Sequence, residues 1–163
     1  KDTSDFFAKR LNDVIKNAEK QMLAAIANKK LDKDLLAGQK LFQQNCKVCH
    51  GEDGEGIKGL GAPLEGSNWV QGDKNKLLSI VLYGLTGPIK VGDKIYAPPD
   101  VAGAMPGMAT NDNLGDKEIA RIVSYIRNAW NNKADKVTQD EVKVIRQKYH
   151  GRQEPFTMKE LQH

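Results

Sequence analysis

Two cysteines separated by two residues and followed at once by a histidine, Cys46-Lys47-Val48-Cys49-His50, constrain this chain more than any other feature. On a helical turn a three-residue step keeps both thiols on roughly one side. Two nucleophilic sulfurs so placed can bond one edge of a flat macrocycle while the adjacent imidazole reaches its metal. This is the spacing of c-type haem attachment, with Cys46 and Cys49 as thioether donors and His50 as one axial nitrogen ligand. The fold must then enclose a porphyrin and supply or withhold a ligand on the opposite face.

Other uses of these residues fit less well. A thioredoxin-like pair would leave His50 without a purpose and would sit beside a βαβ pattern, which the sequence lacks. A structural zinc site needs four ligands, yet no third cysteine exists, and His150 and His163 lie about a hundred residues away. Both cysteines are used by the motif, so no disulfide framework remains.

A chain of 163 residues, 39% hydrophobic and 28% charged, can bury one useful core. The formal net charge of +4 is spread unevenly. Residues 1–32 carry seven Lys/Arg against five Asp/Glu, residues 133–163 carry the same, and the intervening hundred balance at eleven each. So mild a bias, without interleaved aromatics, argues against nucleic acid. No apolar run approaches a bilayer span, and Lys1-Asp2-Thr3-Ser4 carries neither an initiator Met nor a signal-peptide apolar region, as in a processed or excised segment.

Hydrophobic periodicity predicts five helices. Residues 4–28 are amphipathic through Phe7, Leu11, Val14, Ala18, Met22 and Ala25, a stripe that needs the domain core, another subunit or a membrane surface as cover. A second helix runs from about Asp34 to Lys47 and delivers the cysteine motif, with Gly38 on its inner side inviting close approach of another helix. Asp73 opens a short helix that Gly84 stops. Residues 116–131 give the clearest helix, entered through Gly115 and Glu118, and the Gly38 segment is expected to cross it. Thr138 and Glu141 form a capping box for a last helix to about Gly151. Residues 51–66 and 85–104, rich in glycine or proline, read as irregular chain packed on the cofactor, and the tail around Pro155 and Phe156 reads as extended.

Two methionines, Met105 and Met108, follow the irregular stretch, and either thioether could serve as the second axial ligand. Pro106 stiffens the chain next to Met105 and favours it. The order of helix, cysteine motif, glycine-rich loop, Met-Pro and final helix from about Leu35 to Trp130 resembles the class I cytochrome c family. That resemblance implies an all-α fold around one covalent haem c, with Gly38, Phe42 and Tyr125 at a helix crossing. It also implies Pro63 as the carbonyl partner of the His50 imidazole, and Met105 as the sulfur ligand. Trp69, Tyr83, Tyr96 and Arg127 are the candidate polar contacts to the haem, Trp69 and Arg127 foremost. The expected organisation is an N-terminal helical extension (1–32), a cytochrome c domain (33–132) and a C-terminal helical extension (133–163).

A narrower resemblance, in Gly84-Leu85-Thr86-Gly87-Pro88-Ile89, Ile126-Arg127-Asn128-Ala129-Trp130 and Gly151-Arg152-Gln153-Glu154-Pro155-Phe156-Thr157, is to cytochrome domains attached to bacterial quinoprotein, sugar or alcohol dehydrogenase-like proteins. The expected role is that of an electron carrier and not an enzyme, in the extracytoplasmic or periplasmic compartment that covalent c-type haem implies. Its donor would be a dehydrogenase, fused or separate, and its acceptor a respiratory oxidase or copper protein. With a labile or absent sixth ligand the same motif would instead serve a haem gas sensor or a peroxidase-like enzyme.

Overall fold

The computed structural model describes residues 3–162, with backbone alone described for Thr3 and residues 27–32. Lys1, Asp2 and His163, which the expected terminal extensions include, lie outside the described residues, as do the side chains of residues 27–32 just before the expected 32/33 boundary. The helices are α1 (Thr3–Asn45), α2 (Lys47–His50), α3 (Asn68–Gln71), α4 (Lys74–Tyr83), α5 (Asp116–Asn128), α6 (Gln139–Lys148) and α7 (Met158–Leu161). Five short strands accompany them: β1 (Gly84–Thr86), β2 (Ile89–Val91), β3 (Lys94–Tyr96), β4 (Ala104–Pro106) and β5 (Phe156–Thr157).

Two compact units divide the chain, Lys1–Asp34 and Leu35–His163. The two helices expected over 4–28 and 34–47 are instead assigned as the single α1, because no proline or helix-stopping glycine lies between them to break the backbone ladder. In the first unit Phe6, Phe7, Leu11, Val14, Met22, Leu23 and Ile26 are exposed. No helix among the described residues is long and apolar enough to cross a membrane.

The second unit is built on a helical core. Phe42, Leu78, Leu82, Ile119, Ile122 and Val123 are almost wholly buried in it, and Val142 and Ile145 of α6 join them. The crossing of α1 and α5 depends on Gly38: a Cβ there would meet the Arg121 carbonyl oxygen and lie 2.9 Å from Tyr125 Cβ. One turn on, Phe42 packs with Tyr125 and Trp130, all three ring pairs 5.6–5.9 Å apart. Such tilted and edge-to-face contacts add about 0.5–1.5 kcal/mol per pair beyond area burial.

Local chemistry sets the remaining helix ends. Asp73 caps α4 by accepting from the Asn75 and Lys76 backbone N–H groups, and Gly84 ends it at φ +87°. Thr138 and Glu141 make the predicted reciprocal capping box on α6. A second box, Thr157 with Glu160, starts α7, which turns part of the tail expected to be extended into helix.

The stretch 85–104 is more regular than its composition suggests. A β2–β3 hairpin places Ile89 opposite Tyr96. A separate sheet has the order β4-β1-β5, with β1 antiparallel to β4 and parallel to β5. The strands are only two or three residues long, too short for alternation to show. The result is a mostly helical fold with small strand pairings where the chain turns towards the cavity.

Candidate haem site

The cysteine motif forms the turn that follows α1. Cys46 N–H donates to the Phe42 carbonyl at 2.8 Å and His50 N–H to the Cys46 carbonyl at 3.0 Å, so the pentapeptide continues the helical course to Gly51. Cys46 and Cys49 are half-buried and not joined in a disulfide. Burial, and then the neighbouring Cys49, push the Cys46 thiol up to about 11. Among the described residues there is no group of three or more His, Cys, Asp or Glu that could hold a metal ion.

His50 Nδ1 lies 2.8 Å from the Ala62 carbonyl oxygen. A carbonyl only accepts, so Nδ1 carries the proton and Nε2 keeps its lone pair. Burial lowers the His50 pKa, opposed by the Ala62 bond, and the neutral ring is the form that can ligate a metal. The expected carbonyl partner was that of Pro63; the structure assigns the bond to the residue before it. A residue preceding proline is held out of the helical region, and this stiffens Ala62.

Cys46, Cys49, His50, Pro63, Trp69 and Met105 all line one apolar cavity. Phe42, Leu64, Val81, Leu85 and Ile126 contribute to its walls, as do Ile80 and Met108. Met105 belongs to β4, opposite Leu85 in register, and packs with the cluster of Ile80, Leu85, Ile89, Phe156 and Leu161. Met108 packs instead against the helical core, its N–H bonded to the Val81 carbonyl at 2.9 Å. The β1–β4 pairing needs glycine at 84, where a Cβ would collide with the Met105 carbonyl oxygen and lie 3.0 Å from Gly107 N.

The polar candidates separate. Trp69 borders the cavity, and its Nε1–H donates to the Lys90 carbonyl at 2.7 Å. Arg127 is only 3% exposed but does not line the cavity. Its Nη1 donates to the carbonyls of Val70 at 2.7 Å and Gly72 at 2.9 Å, and its Nε to that of Asp135 at 2.6 Å. Arg127 therefore holds the α3 corner in place, because a buried guanidinium must satisfy its donors locally. Tyr83 donates to the Arg146 carbonyl at 3.1 Å, and neither Tyr83 nor Tyr96 borders the cavity.

Two supports carried no sequence signal. Asn132 Nδ2 donates to the Leu64 and Ile126 carbonyls while its Oδ1 accepts from Gly66 N–H, tying the cavity wall to the end of α5. Arg146 reaches from α6 to the Asp116 carboxylate at 2.7 Å and to the Ala109 and Leu114 carbonyls, holding the segment after Met108.

Two thiols at one rim, a neutral imidazole with a free nitrogen, two nearby thioethers and an apolar enclosure form a donor set and a lining that fit haem. The Cytochrome c family model matches residues 35–130. This chain belongs to the cytochrome c family. Cytochrome c-552 of Thermus thermophilus is 36% identical over 121 residues, covering 68% of this chain and 85% of that protein. The cytochrome c subunit of the quinone alcohol dehydrogenase of Gluconobacter oxydans is 34% identical over 99 residues, 60% of this chain. The chain spans only 19% of that subunit's length. Subunit CcoP of the cbb3-type cytochrome c oxidase of Rhodobacter capsulatus is 34% identical over 92 residues, 55% of this chain and 27% of that protein. The cytochrome c chain carries covalent haem c at the Cys46–Cys49 motif, and haem-based electron transfer is its class of activity.

Proposed function

We propose that this cytochrome c relays single electrons from a periplasmic dehydrogenase, fused or separate, to a respiratory acceptor such as an oxidase or a copper protein, with His50 and Met105 as axial ligands. In this reading residues 33–132 are the cytochrome c domain, flanked by extensions at 1–32 and 133–163. The observation that carries it is that His50 and Met105 border one apolar cavity from separate elements, the imidazole with Nε2 uncommitted.

Bound haem supplies a one-electron ferric/ferrous couple. The chain's residues do the rest. Cys46 and Cys49 bond the macrocycle edge, and the Ala62 carbonyl fixes the His50 tautomer and raises its basicity. The Met105 thioether favours the ferrous state relative to a second nitrogen ligand. Phe42, Leu64, Trp69 and Ile80 exclude water from the cavity and disfavour added charge. With both axial positions taken by side chains, small ligands have no place to bind. Relatives that are dehydrogenase subunits support the donor class, and an oxidase subunit among them supports the acceptor class.

The test is Met105→Ala beside Met108→Ala in the haem-loaded protein. Met105→Ala should lose the ferric iron–sulfur charge-transfer band and take up carbon monoxide rapidly when ferrous; Met108→Ala should keep the band. The reverse result would assign the ligand to Met108. Rapid carbon monoxide uptake by the unaltered ferrous protein at neutral pH would replace the relay with a sensor or peroxidase-like role. For the partner, a quinone-dependent dehydrogenase supplied with its substrate should reduce the ferric protein in stopped flow.

A further inference from the structure

Leu85 is the middle residue of a three-strand rung. On one side it is in register with Met105 of β4, on the other with Phe156 of β5. We propose that Phe156, in the C-terminal segment, is a positioning residue for the sixth haem ligand, acting through β1 on the strand that carries Met105. The inference rests on Met105 being that ligand.

The strand pair β1–β4 has three residues on each side. A two-stranded ribbon is marginal at best in water and gains independent stability from a third strand or an apolar cover. The C-terminal segment supplies both. β5 satisfies the outer edge of β1 over Leu85 and Thr86, and the Phe156 ring, 3% exposed, fills the cluster against which Met105 packs. Phe156 sits edge-on to Tyr149 at 5.0 Å and to Tyr83 at 6.3 Å, and Tyr83 and Tyr149 lie 5.9 Å apart. These rings tie β5 to the ends of α4 and α6.

The segment around Phe156 is also fastened to itself. The Arg152 guanidinium lies over the Phe156 ring at 3.7 Å, with Nε donating to the Glu154 carbonyl and Nη2 to the Glu160 carboxylate at 2.9 Å. Glu160 in turn closes the Thr157 capping box. A thioether is a neutral, weak donor, so its hold on iron depends on how firmly the chain presents it. Here the presenting strand is backed by residues from the far end of the chain.

The test uses haem-loaded Phe156→Ala, Phe156→Leu and a control, Val142→Ala, which opens a smaller space in the buried α6 core. Global stability, the iron–sulfur band, and the rate of carbon monoxide uptake by the ferrous protein are read for each. Phe156→Ala should weaken the band and speed uptake about tenfold. Phe156→Leu, which keeps apolar bulk, should recover most of both, and Val142→Ala should lose stability with band and uptake unchanged. The inference is overturned if Phe156→Ala and Phe156→Leu lose stability as Val142→Ala does but leave both haem readouts untouched. A band that survives Met105→Ala would instead defeat the ligand assignment beneath it, a separable result. If Phe156→Ala fails to take up haem, the smaller truncation Phe156→Val takes its place, and a band and uptake rate equal to the parent's overturn the inference.

Discussion

His50 Nδ1 and the Ala62 carbonyl oxygen, 2.8 Å apart, tie the imidazole of the cysteine motif to the residue that precedes a proline. Replacing Pro63 with Ala frees Ala62 to leave the extended region. The weaker bond makes His50 less basic, which disfavours the ferric state. Redox titration should therefore give a higher potential, by less than about 59 mV, the tenfold step of a one-electron couple. An unchanged or lower potential would mean that the proline does not govern this bond.

Gly38→Ala sets two opposing effects against each other. Helix propensity favours alanine by about 1 kcal/mol. The added Cβ, however, lands on the Arg121 carbonyl and 2.9 Å from Tyr125 Cβ, where backbone cannot yield cheaply. Overpacking of this kind costs about 1–3 kcal/mol, so the clash should win. The guanidinium chloride midpoint should fall, and a variant as stable as the parent would refute the close crossing.

Arg127→Lys keeps a charge but loses the fork that spans Val70, Gly72 and Asp135. The expected loss is about 1.5–3 kcal/mol, the range for hydrogen bonds to a charged group. Because the side chain does not border the cavity, the optical spectrum of the bound haem should stay as it was. A shifted spectrum at unchanged stability would return Arg127 to the cofactor.

Acid stability should carry a contribution from Glu141. Burial alone would raise its pKa, but the Thr138 N–H and hydroxyl and the Lys74 ammonium outweigh it and hold the carboxyl below its usual value. The unfolded chain then binds this proton first. The stabilisation is present above the ordinary carboxylate range, about 4–4.5, and is lost as pH falls through the folded value. Glu141→Gln should flatten the stability profile below that range; an identical slope would remove Glu141 from the account.

The helical frame was legible because its signals are local. Asp73 and Gly84 bracket α4, Thr138 and Glu141 start α6, and the Ile119–Ile126 stripe marks α5, each readable within a turn or two. The haem attachment at Cys46 and Cys49 was legible for the same reason, the two lying within one turn of chain. What escaped is non-local or set by backbone. Ala62 displaced Pro63 because a carbonyl has no side-chain signature, and Arg127 was read as a haem contact because charge alone does not say which carbonyls it will meet. Strands as short as Gly84–Thr86 have no period to detect, and the helical run across residues 28–34 was masked by a change in the apolar pattern and not by a breaker.

Pairing residue 85 with residue 156 also orders events in time. A polypeptide emerging from its N-terminus exposes the cysteine pair well before the segment that backs the methionine strand, and closing so long a loop is slow compared with forming a helical turn. Pigment attachment at Cys46 and Cys49 can thus precede the pairing of residue 85 with residue 156, which consolidates the Met105 strand only afterwards.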